Sequence, residues 1–297
     1  VRTAGIDLGG TNVKVAVLEA GDPPQVVHEA TTETHAEEGP EAVLERMAAL
    51  ARTAIGVAGP VDSVGVGCPG PLDLERGRAL FLPNLPGWNG QPIVAPLEER
   101  LDLPVALIND ARAFTLAELR AGAGRGARDL VCFTLGTGVG GGVVVGGELL
   151  LGLGGTVGEL GHQTVEANGL PCPCGSRGCL EQYASGPAIA RAAGTASAVE
   201  AFAGADRGDS RAAAAIERAG FYLGIGISNV CLAVGPERVV IGGGVAEGGE
   251  LILGPARREL ARRNRVMPVE QVAIVRAELG PSAGAIGAAL WAAQSVR

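Results

Sequence analysis

The chain has 297 residues, 47% of them hydrophobic, with 48 glycines, 3% aromatics and a formal net charge of −8. That length favours two lobes over a single core, and a glycine-rich, aromatic-poor acidic chain fits a soluble α/β enzyme while arguing against a nucleic-acid or other polyanion partner. No run of eighteen apolar residues occurs and the first residues lack the basic-then-apolar layout of an export signal, so no membrane association and a cytoplasmic location are expected.

Residues 3 to 18, TAGIDLGGTNVKVAVL, alternate in the manner of two strands joined at Gly9-Gly10. Adjacent glycines let backbone N–H groups approach an anion closely. A phosphate on this turn would meet the Gly10 and Thr11 amides and the Thr11 hydroxyl, and Asp7 could hold Mg2+ through water. By itself such a turn is as readily a plain hairpin. Lys14 is the one lysine beside 23 arginines, and it stands next to this turn.

A third strand is expected at 26–34, and an amphipathic helix over 41–55 from Val43, Leu44, Met47, Leu50, Ala54 and Ile55. VGVGCPGPLD is a buried strand entering a Pro/Gly turn at Gly70. The loop FLPNLPGWNG carries Asn84, Trp88 and Asn89, a mix that suits a ligand-lining loop or a turn with a packed Trp. After a helix from Ile93 to Leu101, the strand VALI ends in Asn109-Asp110 ahead of the helical pattern ARAFTLAELRAG. Asp110 therefore stands at a strand's carboxyl end, where ligands bind in open α/β sheets, or acts as the helix N-cap.

Residues 129–135 form a strand that runs through GTGVGGG at 136–142 into VVV and, after Gly146-Gly147, ELLL. This repeats the strand, Gly/Thr turn, strand pattern of the N-terminus and points to an internally duplicated fold that grips phosphate with two such turns. Next comes ELGHQTVEANGLPCPCGSRGCLE, in which His162, Cys172, Cys174 and Cys179 have the spacing H-x9-C-x-C-x4-C. Three thiolates and an imidazole make a closed tetrahedral set for structural Zn2+ with no open position for water. Three cysteines cannot pair evenly as disulfides. Glu159 and Glu181 flank the knot, and the other ring nitrogen of a metal-bound His162 would reach a ligand hydroxyl or one of these carboxylates. Cys68, Cys132 and Cys231 read as core residues.

The remainder is largely helical. Residues 186–204 are Ala-rich, and a long helix spans 210–234. The strand RVVI then enters Gly242-Gly243-Gly244, where a flat ring such as adenine could lie against the backbone. A helix over 250–263, a strand near 272–277 and a helix over 282–294 that packs on the first lobe complete the chain.

Taken together, IDLGGTN, LPNLPGW, NDA, LGTGVGGG, the ELGH…CPCGSRGCLE stretch and IGGG resemble, in order and nearly end to end, a bacterial glucokinase of the ROK family. The resemblance implies an α/β, two-lobed actin-like ATPase (ribonuclease H-like) fold with a zinc knot. Residues 1–109 completed by helix 282–297 would form the small lobe, and 110–281, with the 159–181 loop, the large one. It implies transfer of the γ-phosphoryl group of ATP to the 6-hydroxyl of glucose with Asp110 as general base. Gly70, Asn84, Asn109, Asp110, Glu159, His162 and Glu181 would contact sugar. Asp7, Gly9, Gly10, Thr11, Asn12, Lys14, Gly136, Thr137, Gly138, Gly140, Gly242, Gly243 and Gly244 would hold MgATP. His162, Cys172, Cys174 and Cys179 would hold zinc. A homodimer or homotetramer follows from the same resemblance, and no DNA-binding segment is expected. The competing readings are a kinase for N-acetylglucosamine, N-acetylmannosamine, mannose or fructose, and a non-catalytic ATP-switched module.

Overall fold

The structure, a computed structural model, describes residues 1–82, 85–263 and 265–295. It divides into two compact units. One comprises residues 1–125 with 149–157 and the stretch from Leu279 onwards; the other comprises 126–148 and 158–278.

The first unit opens with three antiparallel strands, β1 (Arg2–Leu8), β2 (Asn12–Glu19) and β3 (Gln25–Glu33), then α1 (Pro40–Ala58) and β4 (Ser63–Cys68). A two-residue hairpin, β5 (Leu72–Asp73) and β6 (Arg78–Ala79), precedes α2 (Val94–Leu101), β7 (Val105–Asn109) and α3 (Asp110–Ala121). The sheet order is β3-β2-β1-β4-β7, with β4 parallel to both β1 and β7. α1 starts with Pro40 at a position that needs no amide donor, and buries Val43, Leu44, Met47, Ala48, Ala51 and Ala54 at helical spacing. Its face joins Ile6, Val15, Val64 and Trp88 in one apolar core. Trp88 is fully buried, so the tryptophan of the FLPNLPGWNG loop packs inward.

The second unit carries β8 (Leu130–Leu135), β9 (Val139–Val145), the short β10 (Glu148–Leu149) at its margin, and helices α4 (Glu181–Ala184), α5 (Gly186–Ala193), α6 (Ala198–Asp206) and α7 (Ser210–Val234). β11 (Arg238–Gly242), α8 (Glu250–Arg263) and β12 (Ala273–Arg276) follow. The sheet order is β10-β9-β8-β11-β12. In both units, therefore, the third, second, first, fourth and fifth strands lie side by side, with antiparallel pairing on one flank and parallel pairing on the other. The Ala-rich 186–204 segment is two helices rather than one. Gly194 ends α5 in the left-handed conformation, and the Ser197 side chain caps α6.

The last helix, α9 (Ala283–Ser295), returns to the first unit and packs on β1, β4 and α3. Its contact is a backbone approach: a Cβ on Gly5 would sit 1.9 Å from the Ala285 carbonyl oxygen, and one on Gly65 1.7 Å from that of Ala288. Gly287 meets the Ala113 carbonyl in the same way. A side chain at Gly5 or Gly65 would push the helix off the sheet, and one at Gly287 would push it off α3. α9 lies along α3, and Arg112 Nε donates to the Val157 carbonyl at 2.9 Å, so α3 and residues 149–157 fall in this unit.

Candidate functional site

In the first unit the polar residues gather at the carboxyl ends of β1 and β7. Asp110 is the first residue of α3, and the N-cap is its neighbour: Asn109 Oδ1 accepts from the Ala111 amide at 3.0 Å and the Arg112 amide at 3.3 Å. The N-cap that sequence alone left open for Asp110 is thus Asn109, and Asp110 Oδ1 shares the Ala111 amide at 2.8 Å. Arg112 Nη1 also donates to Asn109 Oδ1 at 2.7 Å, and Asn109 Nδ2 donates to the Gly70 carbonyl at 3.3 Å. Those bonds hold the β7–α3 junction against the Gly70 turn, where φ is +74°.

Asp7, next to last in β1, pairs with Lys14 in β2. Burial, reinforced by the charge of Asp110, pushes its carboxyl up to about 7, and Lys14 opposes the shift. Two carboxylates close enough to repel in a poorly hydrated place form a ready seat for a cation. Gly284 at the start of α9 leaves room for this group, since a Cβ there would lie 2.6 Å from Asp7 Cγ. Lys14 Nζ donates to the Pro281 carbonyl at 2.7 Å, which ties β2 to the turn that leads into α9. In the Gly9–Asn12 turn the Gly9 amide donates to the Asn12 carbonyl at 3.0 Å, and the Gly9 carbonyl accepts from Thr34 Oγ1 at 2.6 Å. Gly9 therefore shapes the turn, while Gly10 and Thr11 are exposed on it. Asn84 lies outside the described residues.

In the second unit His162 ends a single 3-10 turn, Leu160–His162, that packs on β9 through Gly161; a Cβ there would meet the Val139 carbonyl at 2.0 Å. Its Nδ1 lies 3.7 Å from Cys172 Sγ, and Cys174 Sγ lies 3.6 Å from Cys179 Sγ. All four donor atoms fall within 4.8 Å of one another. Sulfurs bound to one zinc ion stand about 3.8 Å apart along a tetrahedral edge, and sulfur and nitrogen about 3.6 Å. The donor set and its spacing fit that ion, with Nδ1 turned inward and Nε2 left over. Burial, followed by the neighbouring sulfurs, pushes the Cys179 thiol up to about 12, a crowding that a cation would relieve. The backbone of the loop closes through Pro171 against Arg177 and Thr164 against Cys179.

Glu159 precedes the His162 turn, and its carbonyl accepts from the His162 amide at 3.1 Å. Glu181 starts α4, and its Oε2 accepts from the Val139 amide at 3.0 Å. That oxygen would lie 2.6 Å from a Cβ on Gly138, so the glycine is what lets the carboxylate reach the turn. Gly136 and Thr137 of this turn, with Gly244, line a mostly apolar cavity of about 340 Å3 against α5 and α6. Gly242 ends β11, Gly243 (φ +85°) crosses closely over the Leu135 carbonyl, and Gly140 pairs with Thr134 inside the β8–β9 ladder. The cavity's other walls, including Pro187, Ala198, Val199 and Phe202, carried no chemical signal in the sequence. They are ordinary helix residues, and only the fold brings them to the glycine turn.

A sheet order repeated in two units, each with a Gly/Thr turn closing its first hairpin, defines an α/β protein of the actin-like ATPase class. The ROK family profile matches residues 3–295, and the chain belongs to that family. It is 38% identical to a glucokinase of Thermotoga maritima, over 97% of this chain and 96% of the relative. It is 37% identical to an N-acetylmannosamine kinase of Citrobacter koseri, over 98% and 99%. The crystal structure of a ROK family glucokinase from Streptomyces griseus in complex with glucose and AMPPNP superposes with a TM-score of 0.86 at 32% identity, covering 99% of this chain and 100% of that one.

Proposed function

We infer that the protein is an ATP-dependent glucokinase, a hexose kinase that transfers the γ-phosphoryl group of ATP to the 6-hydroxyl of glucose. The observation that carries the kinase reading is the β7–α3 junction: Asn109 is the helix N-cap, and Asp110, the first residue of α3, stands beside it at the carboxyl end of β7. Full-length similarity to glucokinases supports hexose as the acceptor.

Asp110 accepts the hydroxyl proton, a role set mainly by positioning because phosphoryl transfer asks little covalent help of the protein. Asp7, beside Asp110, would hold Mg2+, which would supply positive charge to the phosphates. The amides of Gly10 and Thr11 in the first unit and of the Gly136–Gly138 turn in the second stabilise phosphate oxygens. Gly9 and Lys14 keep those elements in place through the bonds described above. The 340 Å3 cavity beside Gly136, Thr137 and Gly244 takes the adenosine.

Glu159, His162 and Glu181 read sugar hydroxyls, with His162 using Nε2, and Gly70 and Asn109 add contacts from the first unit. Bound zinc gives the 159–181 loop a fixed shape and takes no part in the chemistry. A site built to bond several hydroxyls rejects sugars that lack one far more strongly than shape alone does.

The test is ADP release with MgATP across glucose, mannose, fructose, N-acetylglucosamine and N-acetylmannosamine, beside a no-sugar control. Strong release with glucose is expected. Preference for N-acetylmannosamine, which the Citrobacter koseri relative raises, would move the assignment to that sugar; release indifferent to every sugar would sink the hexokinase reading.

A further inference from the structure

The second unit holds a cavity of about 550 Å3 that shares no residue with the site described above, apart from running along the outer side of the metal loop. Its wall carries Arg177, Arg191 and Arg218, and its one acidic side chain among the described residues is Glu166. None of the three guanidiniums is in an ion pair among the described residues. Other surface arginines, such as Arg46, Arg52, Arg257 and Arg258, each pair with a glutamate. Three arginines against one carboxylate give this concavity a positive lining in a chain of net charge −8, a local field that favours an anion.

The cavity is also pre-shaped. Its floor is a stacked pair, Tyr183 and Tyr222, with ring centroids 4.1 Å apart and both side chains buried. Arg218 lies over the Tyr222 ring at 5.6 Å, and Arg191 Nη2 donates to the Gln182 carbonyl at 2.9 Å. Two of the three guanidiniums are thus positioned in advance, which lowers the ordering cost of binding. Tyr222 Oη donates to Glu166 at 3.4 Å, so the carboxylate is drawn to the tyrosine.

We propose that this cavity binds a small phosphate monoester and that its occupancy adjusts the hexose site through the metal loop. Three planar guanidiniums match the three terminal oxygens of a phosphate, each able to accept charge-assisted bonds. The connection to the loop is covalent and short. Leu170, on the cavity wall, donates its amide to Tyr183 Oη at 2.8 Å, and Arg177 lies between Cys174 and Cys179. Gln182, whose carbonyl holds Arg191, follows Glu181 and donates to Cys172 Sγ at 3.7 Å. An anion that draws Arg177 towards Arg191, which is anchored on the Gln182 carbonyl, therefore pulls on the segment that carries the cysteines and ends at Glu181. The regulatory half rests on the kinase reading above; the binding half does not.

The test is calorimetric titration of the intact protein with glycerol 3-phosphate, in saturating Mg2+, AMPPNP and glucose so that nucleotide and sugar sites are filled. Glycerol serves as the uncharged control. Saturable binding of the phosphate ester alone is expected, weakened at least about tenfold in R191A/R218A by loss of two charge-assisted contacts. Turnover of the variant without the ester should stay within about twofold of wild type, and the ester should shift the KM for glucose in wild type only. Absence of binding with the nucleotide site filled overturns the proposal, as does binding unchanged in the variant. A changed sedimentation coefficient of the variant with no anion effect overturns it too and makes the cavity a contact between copies. Ester binding lost in R191A/R218A, in a protein that phosphorylates no hexose, upholds the anion site and removes the kinase reading instead.

Discussion

Asp7→Asn isolates the electrostatic cost built into the first unit. The carboxyl ordinarily titrates at 3.8 and is pushed up to about 7 by burial and then by Asp110. The folded state therefore holds a proton that the unfolded chain releases from about pH 4 upward, so stability is fully present below pH 3.8 and declines as pH rises to about 7. A pKa shift of this size is worth at most about 4 kcal/mol, spread over that window and constant above it. The assay is urea denaturation of wild type and Asp7→Asn at pH 4.5, 6 and 8, without divalent metal. The difference between the two proteins at pH 4.5 measures packing and hydrogen bonding. Its growth towards pH 8, in favour of the variant, measures the charge. Mg2+ should flatten the wild-type decline and leave the variant alone, because a cation beside Asp7 favours the carboxylate. Parallel curves for the two proteins from pH 4.5 to 8 would refute the reasoning, and the variant should gain stability while losing turnover with MgATP.

Asp110→Ala should lower kcat about 10²- to 10⁴-fold, the usual worth of a positioned base, while glucose binding measured by calorimetry persists; turnover near wild type would require another base. Cys172→Ser or Cys174→Ser should lose bound zinc by elemental analysis and lower the melting temperature together, since structural metal binding is coupled to folding. Glu181→Ala leaves the Val139 amide without its carboxylate acceptor, at a cost of about 1–3 kcal/mol. It should raise KM for both glucose and ATP, and an effect on glucose alone would separate this residue from the glycine turn. Ala198→Trp should fill the 340 Å3 cavity and raise KM for ATP with little change in glucose affinity.

The His/Cys cluster of the 159–181 loop was the most legible part of the chain. Soft donors at short spacing among turn-forming glycines and prolines leave few other arrangements, and the four donor atoms do converge. The repeated hairpins were legible because alternation and a Gly/Thr turn are local signals. Three features were not. Asn109 and Asp110 are adjacent and both suit an N-cap, so only coordinates show that Asn109 turns its oxygen to the helix amides. Lys14 Nζ donates to a carbonyl more than 260 residues away in sequence, at Pro281, a contact that no local signal announces. The C-terminal helix and its packing on the first lobe were expected, but not the backbone approach to Gly5 and Gly65 through which it packs.

These residues share a pattern that bears on how the site withstands change. Asn109 caps α3, accepts from Arg112 and grips the Gly70 turn, and Glu181 begins α4 while holding the Val139 amide. His162 turns Nδ1 to the cysteines and keeps Nε2 for another partner. Asn109, Glu181 and His162 are thus also struts, each within its own unit. A side chain locked by two or three protein bonds has little rotamer freedom left to lose when a hydroxyl arrives, which sharpens recognition. The same coupling means that even a conservative substitution disturbs shape and contact together. Affinity losses at Asn109 or Glu181 should therefore exceed the worth of one hydrogen bond to sugar, about 1 kcal/mol, by the cost of loosening the turn each one holds.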